Sequence, residues 1–136
     1  METATAEQAA CVDDAFMQRY FQAFRNRDLT ALEAMVTDDV VLESAFGPEV
    51  HGKRFVGKKG FIEATLRYFE TLPGVHSFDR TWTVFGDKAF TEFTVSYEGP
   101  DGKPVTVRVC DLFDFRDGKI ASKRAYSKRL SQGAAA

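Results

Sequence analysis

From residue 76 onward the chain reads as four strand-like runs joined by tight turns, and this tail constrains the fold more than any other feature. The runs His76 to Phe85, Lys88 to Glu98, Pro104 to Phe115 and Lys119 to Arg129 are rich in Val, Phe, Thr and Tyr, residues that suit a pleated, half-buried surface. Their connections are Gly86-Asp87, Gly99-Pro100-Asp101-Gly102 and Arg116-Asp117-Gly118. Each is short enough to join antiparallel neighbours. A meander of this kind has one apolar face, which the rest of the chain must cover.

The cover is helical. Between residues 7 and 26 the apolar positions Phe16, Tyr20, Phe21 and Phe24, with Val12 and Met17 behind them, recur at spacings of three and four. That spacing predicts one wide face of a long helix. Asp28 is placed to cap a short second helix, Leu29 to Val36. The period then changes: Val40, Val41 and Leu42, followed by Glu43, Ser44, Ala45 and Phe46, predict a strand. A Gly- and Pro-containing loop runs from Gly47 to Gly57, and a third helix follows over Lys58 to Leu72, stopped by Pro73-Gly74. The order α-α-β-α-β-β-β-β, helices first and meander last, indicates an α+β fold. At 136 residues the chain suits one domain over 1–136. Residues 1–6 and 131–136 are expected to be frayed ends.

Several function classes are set aside by composition. Lys+Arg 18 against Asp+Glu 20 gives a net charge of −2, which argues against a nucleic-acid-binding module. No apolar run approaches the roughly 18 residues of a spanning helix, and the N-terminal stretch METATAEQAACVDD lacks the basic and apolar regions of a secretory signal. Two cysteines, Cys11 and Cys110, and two histidines, His51 and His76, make no disulfide framework and no metal-ligand spacing. The expectation is a cytoplasmic protein without metal or cofactor and without a membrane partner.

Candidate chemistry begins on the run Pro104 to Phe115. Positions 105, 107, 109, 113 and 115 are Val, Val, Val, Phe and Phe, whereas 106, 108 and 114 are Thr, Arg and Asp. This is the period-2 pattern of a strand with one buried face, and Asp111 falls on that face. A carboxylate there needs a partner or a raised pKa. It is either a catalytic acid/base in a pocket or a structural group bonded to backbone. A three-residue turn at Arg116-Asp117-Gly118 predicts Phe115 opposite Lys119, Phe113 opposite Ala121, Asp111 opposite Lys123 and Val109 opposite Ala125. Lys123 then stands beside Asp111 on the inner face, flanked by Ala121, Ala125 and Ser127. A register slip of one residue would send it outside. A structural ion pair is the plainer account of the same placement.

Tyr20 sits among Phe16, Met17 and Phe24, and a phenol on an apolar face wants a hydrogen-bond partner. His76 starts a strand and is a candidate base near neutral pH. It alternates with Phe78, Arg80, Trp82 and Val84; were that the outer face, Trp82 and Phe78 would be interface residues. Cys110 alternates away from Asp111 and reads as a buried or interface thiol. Leu42, Ser44 and Phe46 share one face of the first strand, and Phe93, Val95 and Tyr97 one face of the third. With Phe16, Phe24, Val109, Phe113 and Ser127 they predict a mainly aromatic, substrate-binding cavity.

The element order, the run Met35-Val36-Thr37-Asp38-Asp39-Val40, the loop with His51-Gly52, and Asp111-Leu112-Phe113-Asp114-Phe115-Arg116-Asp117-Gly118-Lys119-Ile120 resemble the NTF2-like superfamily. Within it they resemble the SnoaL-like polyketide cyclase and ketosteroid isomerase branch. The resemblance covers about residues 10 to 129. It implies an NTF2-like (cystatin-like) cone, three N-terminal helices packed in a strongly curved, mostly antiparallel sheet, with one deep apolar pocket. It also implies a homodimer through the outer sheet face. In the ketosteroid isomerase branch a Tyr matching Tyr20 and an Asp matching Asp111 form an oxyanion hole. The branch's general base, an Asp, matches Ser44 here, its second tyrosine matches Val36, and Lys123 replaces an apolar pocket residue. The Arg and Asp pairs of the limonene epoxide hydrolase branch are missing: the strand reads Thr91-Glu92-Phe93-Thr94-Val95, and the last-strand acid matches Ala125. In the polyketide cyclase branch the Asp at this strand position is the acid/base.

These readings converge on a cofactor-free isomerase, cyclase or lyase. Asp111, Tyr20, Lys123 and His76 are its candidate catalytic residues, acting on a hydrophobic, aromatic or polyketide-like carbonyl compound. Two alternatives stand beside it: a non-catalytic small-molecule-binding or adaptor protein, and a retro-aldol lyase using Lys123 as a Schiff base.

Overall fold

The structure, a computed structural model, describes residues 12–131. Of the expected frayed ends, residues 1–6 and all but the first residue of 131–136 lie outside it, as do the predicted helical residues 7–11. Helix α1 spans Asp14–Arg25, α2 Leu29–Ala34 and α3 Gly57–Thr71. The strands are β1 Val36–Glu43, β2 Arg54–Val56, β3 His76–Phe85, β4 Lys88–Glu98, β5 Pro104–Arg116 and β6 Lys119–Ser127. The fold is α+β, as the period change requires. The third helix is not N-terminal: it follows two strands, and α2 is only six residues long.

Local chemistry sets the helix ends. The Asp13 carboxylate accepts from the Phe16 amide at 2.9 Å and opens α1, and Asp28 does the same for Ala31 at 3.1 Å in α2. Helix α2 stops at Ala34 rather than Val36. A helix this short is not self-sustaining, and Val36 is instead taken into the sheet opposite Ile120. Strand β1 therefore begins four residues before Val40 and ends at Glu43. Strand β2, absent from the sequence reading, pairs with β1 and buries Phe55. The intervening loop is held tight by Gly52, whose φ of +80° suits glycine and whose added Cβ would lie 2.0 Å from the Ser44 carbonyl.

The six strands run in the order β2-β1-β6-β5-β4-β3. Only β1–β6 is parallel. The inner face packs on the helices through Phe16, Met17, Tyr20, Leu32, Val36, Val40, Phe61, Phe113 and Ile120, all buried.

Two bulges decide which side chains face inward. At the β5–β6 turn, Asp117 (φ 54°) and Gly118 (φ 74°) make a two-residue connection that pairs Arg116 with Lys119. Continued without interruption, that register would set Lys123 opposite Leu112 on the outer face. The register shifts between Asp114 and Phe115, so Asp114 faces Ser122 and Phe113 faces Lys123. Ala121 is the extra residue. Lys123 thus returns to the inner face, but opposite Phe113, and Asp111 lies opposite Ala125. The expected direct pairing of Asp111 with Lys123 is replaced by a diagonal one.

The second bulge interrupts β3. Phe78 pairs with Thr94 and Thr81 with Glu92, so Asp79 and Arg80 together oppose Phe93. Asp79 takes φ 53°. His76 and Phe78 therefore face out with Thr94, whereas Arg80, Trp82 and Val84 face in. The alternation His76-Phe78-Arg80-Trp82-Val84 does not hold as a single face. Trp82 packs on Phe21 at 5.3 Å and donates from Nε1 to Asp14 at 3.0 Å, so it is not an outer-face contact.

Candidate active site

Helix α1, helix α3 and the inner faces of β3 to β6 enclose a cavity of about 1000 Å³. Strand β1 and the loop 44–53 complete its mouth. A ligand of drug-like size would be largely buried in it. Phe24, Leu42, Phe93, Val95, Val109 and Ser127 line it as the alternation predicts. Phe16 and Phe113 do not. Phe16 packs edge-on against Phe115, and Phe113 lies between Tyr20 and Phe115; both are core. Ser44 and Phe46 lie beyond the end of β1, so no strand alternation orients them. Ser44 Oγ donates to the Phe46 carbonyl at 2.5 Å and accepts from the Lys53 amide at 3.2 Å, which makes it a loop brace. Phe46 stands 70% exposed at the mouth.

At the floor three of the four candidate catalytic residues meet. Lys123 Nζ donates to the Tyr20 hydroxyl oxygen at 3.1 Å and lies 3.7 Å from the Asp111 carboxylate. All three are buried. Tyr20 is held edge-on by Phe21 and Phe113, and the ammonium also lies 4.9 Å above the Phe24 ring, a favourable place for a desolvated cation. Because Tyr20 accepts from Lys123, its own O–H is left to donate toward the cavity.

The charges follow from burial set against neighbours. Burial pushes the Asp111 carboxyl up, and the Lys123 and Arg80 cations only partly offset it. Burial also pushes the Tyr20 phenol up despite Lys123, so it is neutral. For Lys123 the balance reverses. Burial works to strip its proton, but Tyr20 and Asp111 outweigh it and hold its pKa at about 12. Lys123 is an ammonium beside a carboxyl whose ionised form is strained.

His76 does not join this group. It is exposed, its Nδ1 lies 3.2 Å from the Gly74 carbonyl oxygen, and its ring stacks on Phe78 at the cavity rim. Cys110 faces out opposite Tyr126, half-buried, with a thiol raised by that burial.

Two polar residues of the cavity escaped the sequence reading. Arg80 is brought inward by the β3 bulge. Its guanidinium lies 3.8 Å over the Phe93 ring and 4.2 Å over Phe21, and it donates to Thr91 Oγ1 at 3.3 Å and Ser77 Oγ at 3.2 Å. Thr91, fully buried, is fixed in turn by its bond to the Thr81 carbonyl at 2.8 Å. Tyr68, from α3, packs on Phe24 at 5.4 Å and lines the cavity. Its spacing from Phe61, Ala64 and Thr65 was the legible signal; for Arg80 there was none, because a bulge inverted the face.

Among curated proteins nothing matches the chain. Among solved structures, an NTF2-like protein of unknown function from Mesorhizobium loti is 27% identical, with a TM-score of 0.69 over 91% of this chain and 93% of that one. A protein from Xanthomonas campestris pv. campestris, provisionally named a polyketide cyclase, is 24% identical, with a TM-score of 0.69 over 89% and 91%. A provisionally named ketosteroid isomerase from Kribbella flavida is 14% identical, with a TM-score of 0.70 over 94% and 83%. At such identities these likenesses speak mainly to the fold. Residues 17–123 match the SnoaL-like domain, and the chain belongs to that family, within the NTF2-like superfamily.

Proposed function

We propose that the chain is an enzyme that moves protons on a hydrophobic carbonyl compound held in this cavity, in the manner of an isomerase, cyclase or lyase, with its own side chains as the chemical groups. The observation that carries this reading is the convergence of Asp111, Lys123 and Tyr20 on the cavity floor. Asp111, its pKa raised by burial, is suited to take a proton from the carbon next to a carbonyl and return it elsewhere. The Tyr20 O–H is placed to donate to the enolate oxygen that forms, and its acidity is increased by the hydrogen it accepts from Lys123. The ammonium balances the charge that moves between carboxylate and enolate.

The high pKa of Lys123 counts against the imine reading, which needs a free amine. Ser44, spent on the loop backbone, offers no second base, so Asp111 carries both proton steps.

The test is α-carbon hydrogen exchange of 2-tetralone in D2O, followed by NMR. The wild type is expected to exceed the buffer rate and Asp111→Asn to lose about 10²–10⁴-fold of that excess. No excess exchange by wild-type protein, or full exchange by Asp111→Asn, overturns the assignment. A protein that binds the ketone without exchanging it is a binding module instead.

The outer sheet face supports a homodimer. Phe78, Phe85, Phe90 and Tyr126 stand about half exposed there, Phe85 and Phe90 edge to face. Apolar side chains of that size on one face mark an interface. Among the described residues no helix is long and apolar enough to cross a membrane.

A further inference from the structure

We propose that the cavity takes an aromatic ligand bearing a planar two-oxygen anion, a carboxylate or an acidic enol, and that Arg80 receives that anion. This rests on the reading of the cavity as a small-molecule site and names its substrate class.

The first observation is the state of Arg80. Its guanidinium is partly buried against two phenyl rings, a setting in which a charge without a counterion is costly. No carboxylate of the described residues forms an ion pair with it. Lys123, the other buried cation, has Asp111 at 3.7 Å and Tyr20 at 3.1 Å. Arg80 feels Asp111 only through space, and its direct partners are the two neutral hydroxyls of Thr91 and Ser77. They engage one N–H on each terminal nitrogen, and the guanidinium has five. The remaining donors lie in the plane of the fork, the geometry that meets a carboxylate with two parallel hydrogen bonds.

The second observation is the charge balance of the walls. At the mouth the exposed cations Arg25, Arg27, Lys53, Arg54 and Arg67 face one acid, Glu49. Inside, Arg80 and Lys123 face Asp111 alone. Arg54 and Arg67 are partly spent on Glu43 and Glu63, and the excess remains positive. A chain of net charge −2 has therefore gathered cations around its apolar cavity, which favours entry of an anion.

The third is shape. The rings of Phe21 and Phe93 both lie against the guanidinium. With Tyr68 and Phe24 close by, the surface beyond the fork is aromatic. A ligand that bonds the fork edge-on lays its body against those rings. Such a ligand would leave Asp111 and Tyr20 free for its carbonyl end.

Titration calorimetry with matched pairs tests the proposal. The pairs are 2-naphthoate against 2-naphthamide, and 2-hydroxy-1,4-naphthoquinone against its 2-methoxy ether, which cannot ionise. The wild type is expected to bind each anion about tenfold or more tighter than its neutral partner. Selectivity in one pair only identifies which anion is taken. In Arg80→Met the ratio falls to about one with neutral binding kept, and Arg80→Lys restores part of it. Equal affinity for anion and neutral partner in the wild type overturns this inference while the cavity reading survives. Selectivity that persists in Arg80→Met also overturns it, because another cation then reads the anion. Binding of none of the four compounds removes the cavity reading and this inference together. If Arg80→Met does not fold, Arg80→Lys carries the test: an anion-to-neutral ratio below that of the wild type supports the assignment, and an unchanged ratio overturns it.

Discussion

Lys123 Nζ donates to the Tyr20 hydroxyl oxygen over 3.1 Å, joining the last strand to the first helix across 103 residues. The bond makes the phenol a donor with nowhere to donate but the cavity. It also holds an ammonium 3.7 Å from a carboxyl whose pKa burial raises. The chemistry attributed to the site and part of its stability depend on the same contact.

Removing the hydroxyl separates those roles. Tyr20→Phe keeps the ring packing on Phe21 and Phe113 but deletes the donor to an enolate. Ketone exchange is expected to fall about 10²-fold or more, with a stability loss of only about 1–2 kcal/mol. Exchange kinetics and urea midpoints on the same preparation check both. Unchanged exchange places the oxyanion elsewhere.

Removing the ammonium has the opposite profile. Lys123→Met leaves the buried Asp111 without the cation it pairs with, and breaking a buried pair in this way costs about 3–5 kcal/mol. The folded pKa of Asp111 is already above 3.8. Its ionisation therefore weakens the fold as pH rises past that value, and the penalty in Lys123→Met grows in the same direction. Asp111→Asn in the Lys123→Met background is expected to recover most of the loss. Urea titrations at pH 4 and pH 8 measure this. A single-variant cost independent of pH would mean that Asp111 does not charge.

Two groups with larger shifts contribute at the two ends of the pH range. Lys123 has its folded pKa raised from 10.5 to about 12, so its contribution is complete below 10.5 and is lost as pH rises to about 12. Burial works upward on Asp114, but hydrogen bonds from Lys88 and Arg124 outweigh it and lower its pKa from 3.8 to about 2. Its contribution is complete above 3.8 and is lost as pH falls to about 2. Asp114→Asn should flatten the acid limb of a stability curve without changing the alkaline limb, and Lys123→Met should flatten the alkaline limb.

On the outer face, Phe90→Lys places a charge beside Phe85 and Leu112. Sedimentation velocity at micromolar concentration is expected to show a dimer for the wild type and a monomer for this variant, with the exchange activity of the cavity retained. A wild-type monomer would withdraw the interface.

Much of this architecture was legible along the chain. Spacings of three and four at Phe16, Tyr20 and Phe24 placed a helix face, and Asp28 capped the next helix where expected. The alternation Val105-Val107-Val109 set Asp111 on the buried face of β5. These signals are local: side-chain period follows from backbone geometry, and caps and turns from the chemistry of a few adjacent residues. Strand β2 escaped because three residues show too little periodicity to separate from a loop. Phe16 and Phe113 belong to the core and not to the cavity wall, because alternation assigns a face without showing which part of that face the helices fill.

What local pattern could not decide was register. The two-residue turn at Asp117-Gly118 would by itself have turned Lys123 outward, and the bulge at Ala121 turned it back. The bulge at Asp79-Arg80 sent His76 out of the site and brought Arg80 in. The sequence by itself determined the elements other than β2, their order and the buried carboxyl of β5. Only the tertiary structure decided which cations meet that carboxyl. An inserted residue inverts every side chain beyond it, and its position is chosen by packing of the whole sheet against the helices rather than by the residues at the bulge.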